Sequence, residues 1–171
     1  MGKKMLSGAI FPQFTLPKVG GGELQLGGKD IWQLLIVYRG RHCPLCKEYL
    51  NKLDLLMPDF TSIGVYVSAV SSDPLKKAEL DYKEFLWSFD IGCELDKSQM
   101  DKLGLYVSDP RSAAETDRQF PEPALFVIRP DGCVQIIEIS NSPIVRADLS
   151  SLHTSLKWVI DNNYPVRGTV V

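Results

Sequence analysis

The chain has 171 residues, 44% of them hydrophobic and 23% charged, with a formal net charge of −2. Such a composition is that of an ordinary globular protein, and the length suits one domain, residues 1–171, around one substantial core. So small a charge supplies no field to gather nucleic acid or an anionic membrane surface, and no apolar run is long enough to cross a bilayer. At the N-terminus, "MGKKMLSGAIFPQF" is interrupted by Ser7, Gly8 and Pro12, so no signal peptide is read. N-myristoylation wants Ser or Thr where Leu6 stands. Four cysteines are too few for a disulfide framework at this length. These features point to the cytoplasm, where a disulfide is transient and chemical rather than a permanent staple.

In chain order, residues 1–13 are expected to be a loose lead-in. Residues 14–16 and 23–26 read as short strands around Gly20-Gly21-Gly22. Residues 31–38, "IWQLLIVY", lack alternation and predict a strand buried on both faces. Pro44 suits a first helical turn, and Leu45, Tyr49, Leu50, Leu53, Leu56 and Met57 recur at helical spacing, ending near Pro58. A second buried strand follows over 63–70. Ser72 or Asp73 before Pro74 signals a helix start, with Leu75 to Trp87 helical. Residues 90–95 read as extended, Ser98 to Leu103 as a short helix stopped by Gly104, and 109–122 as a loop. Residues 124–129 and 133–139 form strands joined at Pro130-Asp131-Gly132. A last helix starts near Ala147, and 165–171 is expected to be a loose tail. Parallel strands with crossovers, then an antiparallel hairpin, predict an α/β domain with a mixed central sheet and helices on both faces.

The chemistry is signalled by "RGRHCPLCKEYL", a C-x-x-C where a buried strand hands over to a helix. Unpaired N–H groups and the macrodipole at a helix N-terminus favour an anion, so a thiolate there has a lowered pKa. Arg39, Arg41 and His42 stand just before Cys43 and are positioned to add positive potential. Cys43, at the first turn and nearer solvent, is the expected attacker in disulfide exchange. Cys46, a turn inside, is the expected resolver. Two rival readings are half of a zinc site, though no second spaced pair exists, and two inert buried thiols. Cys93 and Cys133 read as small buried hydrophobes, His153 as a boundary residue, and Trp32, Trp87 and Trp158 as packing residues. Lys47 and Glu48 read as a solvated face, and Tyr38 as a residue lining the site.

The segment "VYRGRHCPLCKEYLNKL" resembles the YRG–x–x–C-P-x-C segment of the peroxiredoxin-like group within the alkyl hydroperoxide reductase and thiol-specific antioxidant superfamily. "FPQFTLPKVGGGELQL", "IGVYVSAVSSDP", "CELDKSQMDKLGL" and "PALFVIRPDGCV" resemble its other segments. The resemblance implies a thioredoxin-like fold. Peroxiredoxins carry P-x-x-x-T/S-x-x-C and an activating Arg on a later strand. With Cys46 as the peroxidatic residue, Cys43 takes the Thr/Ser place and Arg39 the Pro place. With Cys43 in that role, those places fall on Gly40 and Ile36. Where the Arg would lie, Glu122-Pro123 resembles the cis proline that adjoins the cysteines of thioredoxins. The acid that thioredoxins often bury near the pair has no counterpart in Leu35-Ile36-Val37-Tyr38. The expected function is a peroxiredoxin-like thiol-disulfide oxidoreductase using Cys43 and Cys46, with Arg39, Arg41, His42, Pro44 and Pro123 in support. The alternatives are a thiol-dependent peroxide reductase with Cys46 as the peroxidatic cysteine and a non-catalytic thioredoxin-fold binding module. The exchange reaction needs no bound cofactor or metal. Its partners would be a thioredoxin-type or small-thiol reductant and a protein or small disulfide, or peroxide. The oligomeric state is left open, a dimer included.

Overall fold

The computed structural model describes residues 4–170. In chain order the elements are β1 (Phe14–Pro17), β2 (Glu23–Leu26), β3 (Trp32–Val37), α1 (Pro44–Leu55), α2 (Met57–Ser62), β4 (Val65–Val70), α3 (Leu75–Phe85), β5 (Asp90–Gly92), α4 (Lys97–Lys102), β6 (Val107–Ser108), β7 (Phe120–Pro121), β8 (Ala124–Ile128), β9 (Val134–Ile139) and α5 (Leu149–Asp161). Five strands form the central sheet in the order β5-β4-β3-β8-β9. β3 pairs parallel with β4 and antiparallel with β8, and β9 closes one edge antiparallel to β8. The mixed sheet expected from the element order is present.

Because successive strand residues point to opposite faces, β3 splits its apolar run between two cores. Leu34 and Ile36 join a core with Leu50, Leu53, Phe60, Ala78, Leu152 and Leu156, which brings α1, α2, α3 and α5 onto one face. Leu35 and Val37 join Leu16, Leu24, Leu26, Met100 and Phe126, which places the β1-β2 hairpin and α4 on the other. Helices therefore cover both faces, four against one.

Several boundaries differ from the sequence reading for local reasons. The helix expected to run into Met57 divides at Leu56. Pro58 has no N–H to extend the α1 ladder but fits the first turn of α2. α3 stops at Phe85 because Leu86 turns left-handed, with φ 54. Trp87 lies beyond that stop, 2% exposed, its indole N–H donating to Asn51 Oδ1 at 2.7 Å. Pro74, without a side-chain hydrogen bond, caps α3 instead of Ser72 or Asp73. The 109–122 excursion is pinned at its base by β6-β7 pairing. Trp158 is 54% exposed and packs only in part, against Tyr164.

The loose lead-in does not hold for residues 8–13. Gly8 N–H donates to Val134 O at 2.8 Å and Phe11 N–H to Gly132 O at 2.9 Å. Phe11 is 1% exposed, edge-on to Phe126. The far tail is tied back at two points, by Ser7 Oγ donating to Gly168 O and Gln135 Nε2 donating to Pro165 O. A loose segment would tolerate truncation of an aromatic, whereas a buried Phe→Ala costs about 3–5 kcal/mol. Phe11→Ala should therefore lower unfolding stability by about that amount in urea titration.

Candidate dithiol site

The strand–helix junction is shaped by a tight turn. Gly40 adopts φ +125, and a Cβ there would meet Asp73 Oδ2 at 2.8 Å, so the turn passes directly over this carboxylate. Asp73 accepts the Arg41 backbone N–H at 2.7 Å, which explains why it does not cap α3. The chain then reaches Cys43, whose extended backbone (φ −106, ψ 102) makes it the N-cap of α1, with Pro44 in the first turn. The Cys46 N–H donates to Cys43 Sγ at 3.4 Å. A sulfur thus fills the place usually taken by a Ser or Asp oxygen.

This geometry separates the two thiols. Cys43 is pulled down to about 6, first by the hydrogen bond from Cys46, then by the Cys46 backbone N–H and the nearby Arg39, against the opposing effect of burial. Cys46 is pushed far above the ordinary thiol range, first by its hydrogen bond to Cys43 and then by burial. Cys43 lies nearer solvent than Cys46 by only a narrow margin, 2% exposed against 0%, because its side chain folds inward to cap the helix. Solvent instead meets Pro44 and Leu45, the residues between them.

The supporting residues sort differently from their order in the chain. Arg39 faces the site. Its guanidinium lies 4.8 Å over the Phe120 ring, 3.4 Å from Glu122 and 3.7 Å from Glu115, and it acts on Cys43. The Arg39–Glu122 approach is an ion pair without hydrogen-bond geometry, leaving Arg39 Nε and Glu122 Oε2 free of directed partners among the described residues. Arg41 turns away from the sulfurs and binds Asp81 at 2.5 Å and Glu84 at 2.9 Å on α3. His42 packs edge-on against Phe120 at 4.5 Å. Burial, then the Arg39 charge, lowers its pKa, so it is neutral at pH 7 and adds no positive potential. Tyr38 is 1% exposed and lies beneath the site rather than lining an open surface. Lys47 is not wholly solvated, since its ammonium approaches Asp81 and the Phe85 ring.

The Glu122–Pro123 bond is trans, and no cis peptide bond occurs among the described residues. Glu122 is held at the end of the β6-β7 pairing, its N–H donating to Tyr106 O at 2.8 Å. What the sequence reading missed lies far along the chain: Phe120, Glu115 and Glu122 beside Arg39, and the buried carboxylates Asp73 and Asp81. Burial raises both aspartates above the usual carboxylate range, opposed by hydrogen bonds from Arg41. Two buried acids thus come from the β4–α3 turn and from α3 itself, both engaged by Arg41. Cys93 is buried, its thiol donating to Pro17 O at 3.3 Å, and burial pushes it up to about 11. No group of three or more His, Cys, Asp or Glu side chains able to hold a metal occurs among the described residues. None of the described helices is long and apolar enough to cross a membrane.

Residues 7–137 match the model of the AhpC/TSA family. No curated protein matches the sequence. Among solved structures, a peroxiredoxin-like protein from Aquifex aeolicus is 19% identical, with 92% of this chain and 90% of that one covered and a TM-score of 0.77. A mutant of peroxiredoxin 6 of Arenicola marina is 21% identical, with 92% and 72% covered and a TM-score of 0.76. A yeast mitochondrial 1-Cys peroxiredoxin, described with thiol resolution via glutathione/thioredoxin systems, is 15% identical, with 95% and 82% covered and a TM-score of 0.75. These likenesses establish the peroxiredoxin-type, thioredoxin-like fold. With the family match spanning most of the chain and the fold agreeing, the chain belongs to the AhpC/TSA family, a family of thiol-dependent oxidoreductases.

Proposed function

We propose that the protein is a dithiol–disulfide oxidoreductase in which Cys43 attacks and Cys46 resolves. The observation that carries this reading is the cap: Cys43 Sγ accepts the Cys46 N–H at the start of α1 and is acidic, while Cys46 keeps its proton. At neutral pH Cys43 is largely thiolate, the form that attacks a disulfide sulfur. Its neighbour one turn on, whose backbone N–H already reaches the Cys43 sulfur, would displace the bound product. Thiols of the glutathione or thioredoxin type would return the pair to the dithiol state.

A second reading is favoured by Arg39. Peroxide reduction needs a cation beside the thiolate to stabilise the departing oxygen, and Arg39 supplies one from the turn before the helix rather than from a later strand. In this reaction the Cys43 thiolate attacks the terminal oxygen of a hydroperoxide, the O–O bond breaks, and with one proton from solvent the products are a sulfenic acid and an alcohol. Cys46 then condenses with it, forming the disulfide and water. The lower pKa of Cys43 favours it as the peroxidatic residue in this reading, whereas the alternative drawn from the resemblance gave that role to Cys46.

Two outcomes are expected. Reduction of insulin disulfides should be abolished by Cys43→Ser, whereas Cys46→Ser should accumulate a mixed disulfide at Cys43, visible by intact mass. An exchange activity that survives Cys43→Ser would reverse the assignment. Carbamidomethylation of Cys43 should be slow in acid and rise through a midpoint at about pH 6. The sign follows from deprotonation creating the nucleophile. Arg39→Ala removes a charge that favours the thiolate, so the midpoint should move upward; an unchanged midpoint would show that Arg39 does not act on the sulfur.

A further inference from the structure

Cys43 and Cys46 are 2% and 0% exposed, yet a sulfur that attacks another atom must first meet it. Some part of the surroundings therefore moves, and the turn that leads into Cys43 is held from two sides. On the α3 side, Arg41 donates through its backbone N–H to Asp73 and through its guanidinium to Asp81, residues 2% and 0% exposed. On the other side lies the excursion between β6 and β7. Of its residues 109–119, Thr116 alone is buried.

The excursion crosses from the cysteine turn to the start of α3. Glu115 approaches Arg39 at 3.7 Å. Lys77, in the first turn of α3, donates to Thr116 Oγ1 at 3.3 Å and to Asp117 Oδ1 at 3.0 Å. Ser72 Oγ donates to Gln119 O at 3.1 Å, and Arg118 Nη1 donates to Ser72 O at 3.4 Å. His42 lies beneath. Both of its ring nitrogens are shielded from water and have no hydrogen-bond partner among the described residues. Phe120, where the excursion rejoins the fold, packs on the His42 ring, and Glu115 and Lys77 both act on its charge. The contacts that hold the excursion down are of the weaker kind. The Lys77 and Asp117 side chains are 33% and 57% exposed, so water and salt screen their pairing. The base is fixed by pairing of Val107 with Pro121 and of Ser108 with Phe120. A segment with one buried residue, exposed ties and a fixed base opens locally while the rest of the fold stays closed.

We propose that residues 109–119 form a strap over the cysteine turn, and that its lifting from Ser72 and Lys77 releases Glu115 from Arg39, uncovers His42 and opens Cys43 to its substrate. The closed strap is the arrangement described above, and the open strap is the state in which the sulfur reacts. No covalent bond changes in the movement. The strap governs access and takes no part in the chemistry, so it serves an attack on a disulfide and an attack on a peroxide alike. Alkylation of the sulfur needs neither reaction and reads the opening directly.

Iodoacetamide is uncharged, and its rate with Cys43 reports access on the alkaline plateau of the pH profile, where the thiolate fraction no longer changes. Lys77→Met removes the ties to Thr116 and Asp117 together. The plateau rate should rise about fivefold, as for loss of one favourable surface ion pair, with the pH midpoint unmoved. Trypsin cleavage after Arg118 should rise by a similar factor, since the open strap is the form the protease cuts. Asp117→Asn breaks the same ion pair from the strap side and should raise the alkylation rate likewise. Added salt should speed alkylation of the wild type and have less effect on either variant. Loss of the Lys77 charge alone would push the midpoint up and leave the plateau where it was, so that pattern overturns the proposal. So does a plateau rate that stays constant while cleavage after Arg118 rises, because the strap then lifts without uncovering the sulfur.

Discussion

The hydrogen bond from the Cys46 backbone N–H to the Cys43 sulfur is the contact on which the site depends. It caps α1, fixes the sulfur in the field of the helix N-terminus and divides the two thiols into an acid and a proton holder. The fold supplies the conditions. β3 is buried on both faces and delivers the chain to the sheet's end, Gly40 allows the turn over Asp73, and Pro44 starts the helix where a missing N–H costs nothing.

Charge around this contact is arranged by elements distant in sequence. Arg39 remains at the site because Phe120 and Glu122, at β7, form a face for its guanidinium. Arg41, two residues on, is carried the other way and clamps the turn to α3 through Asp81 and Glu84. Asp81 is fully buried, so the clamp sets a carboxylate whose pKa burial raises against an arginine that stays partly exposed, and removing either partner would leave an unpaired polar group at the turn. The cysteine turn is thus braced by α3 on one side and by the β6-β7 excursion on the other.

The central architecture was legible in the sequence because its signals are local. The apolar runs of β3 and β4, the three- and four-residue spacing in α1 and the Pro-Asp-Gly turn each report their own segment. The helix start was legible for the same reason, since Pro44 suits the first turn, but the inward fold of the Cys43 side chain that caps it was not. What escaped depends on long-range packing. Two arginines flanking Gly40 look equivalent in sequence, and only the placement of Phe120 and Asp81 makes one face the sulfur and the other leave it. Asp73 reads as a cap residue, yet the turn above captures its carboxylate first. Glu122-Pro123 invites a cis reading, but the bond is trans and follows directly on the strand paired to β6.

The inward fold of the Cys43 side chain also bears on the redox balance of the pair. Every group that favours its thiolate acts on the reduced form alone, because a disulfide carries no such charge. Lowering the free energy of the dithiol state raises the reduction potential, making the disulfide a stronger oxidant than one between ordinary thiols. The contribution of Cys43 grows as pH rises from about 6 towards the usual thiol pKa of 9.0, above which the raised Cys46 opposes it, and it fades below about 6, where the anion is neutralised. For the dithiol reaction proposed above, the couple would therefore approach in acid the poise of an unassisted dithiol, and the same sulfur that holds the helix end would tune its potential.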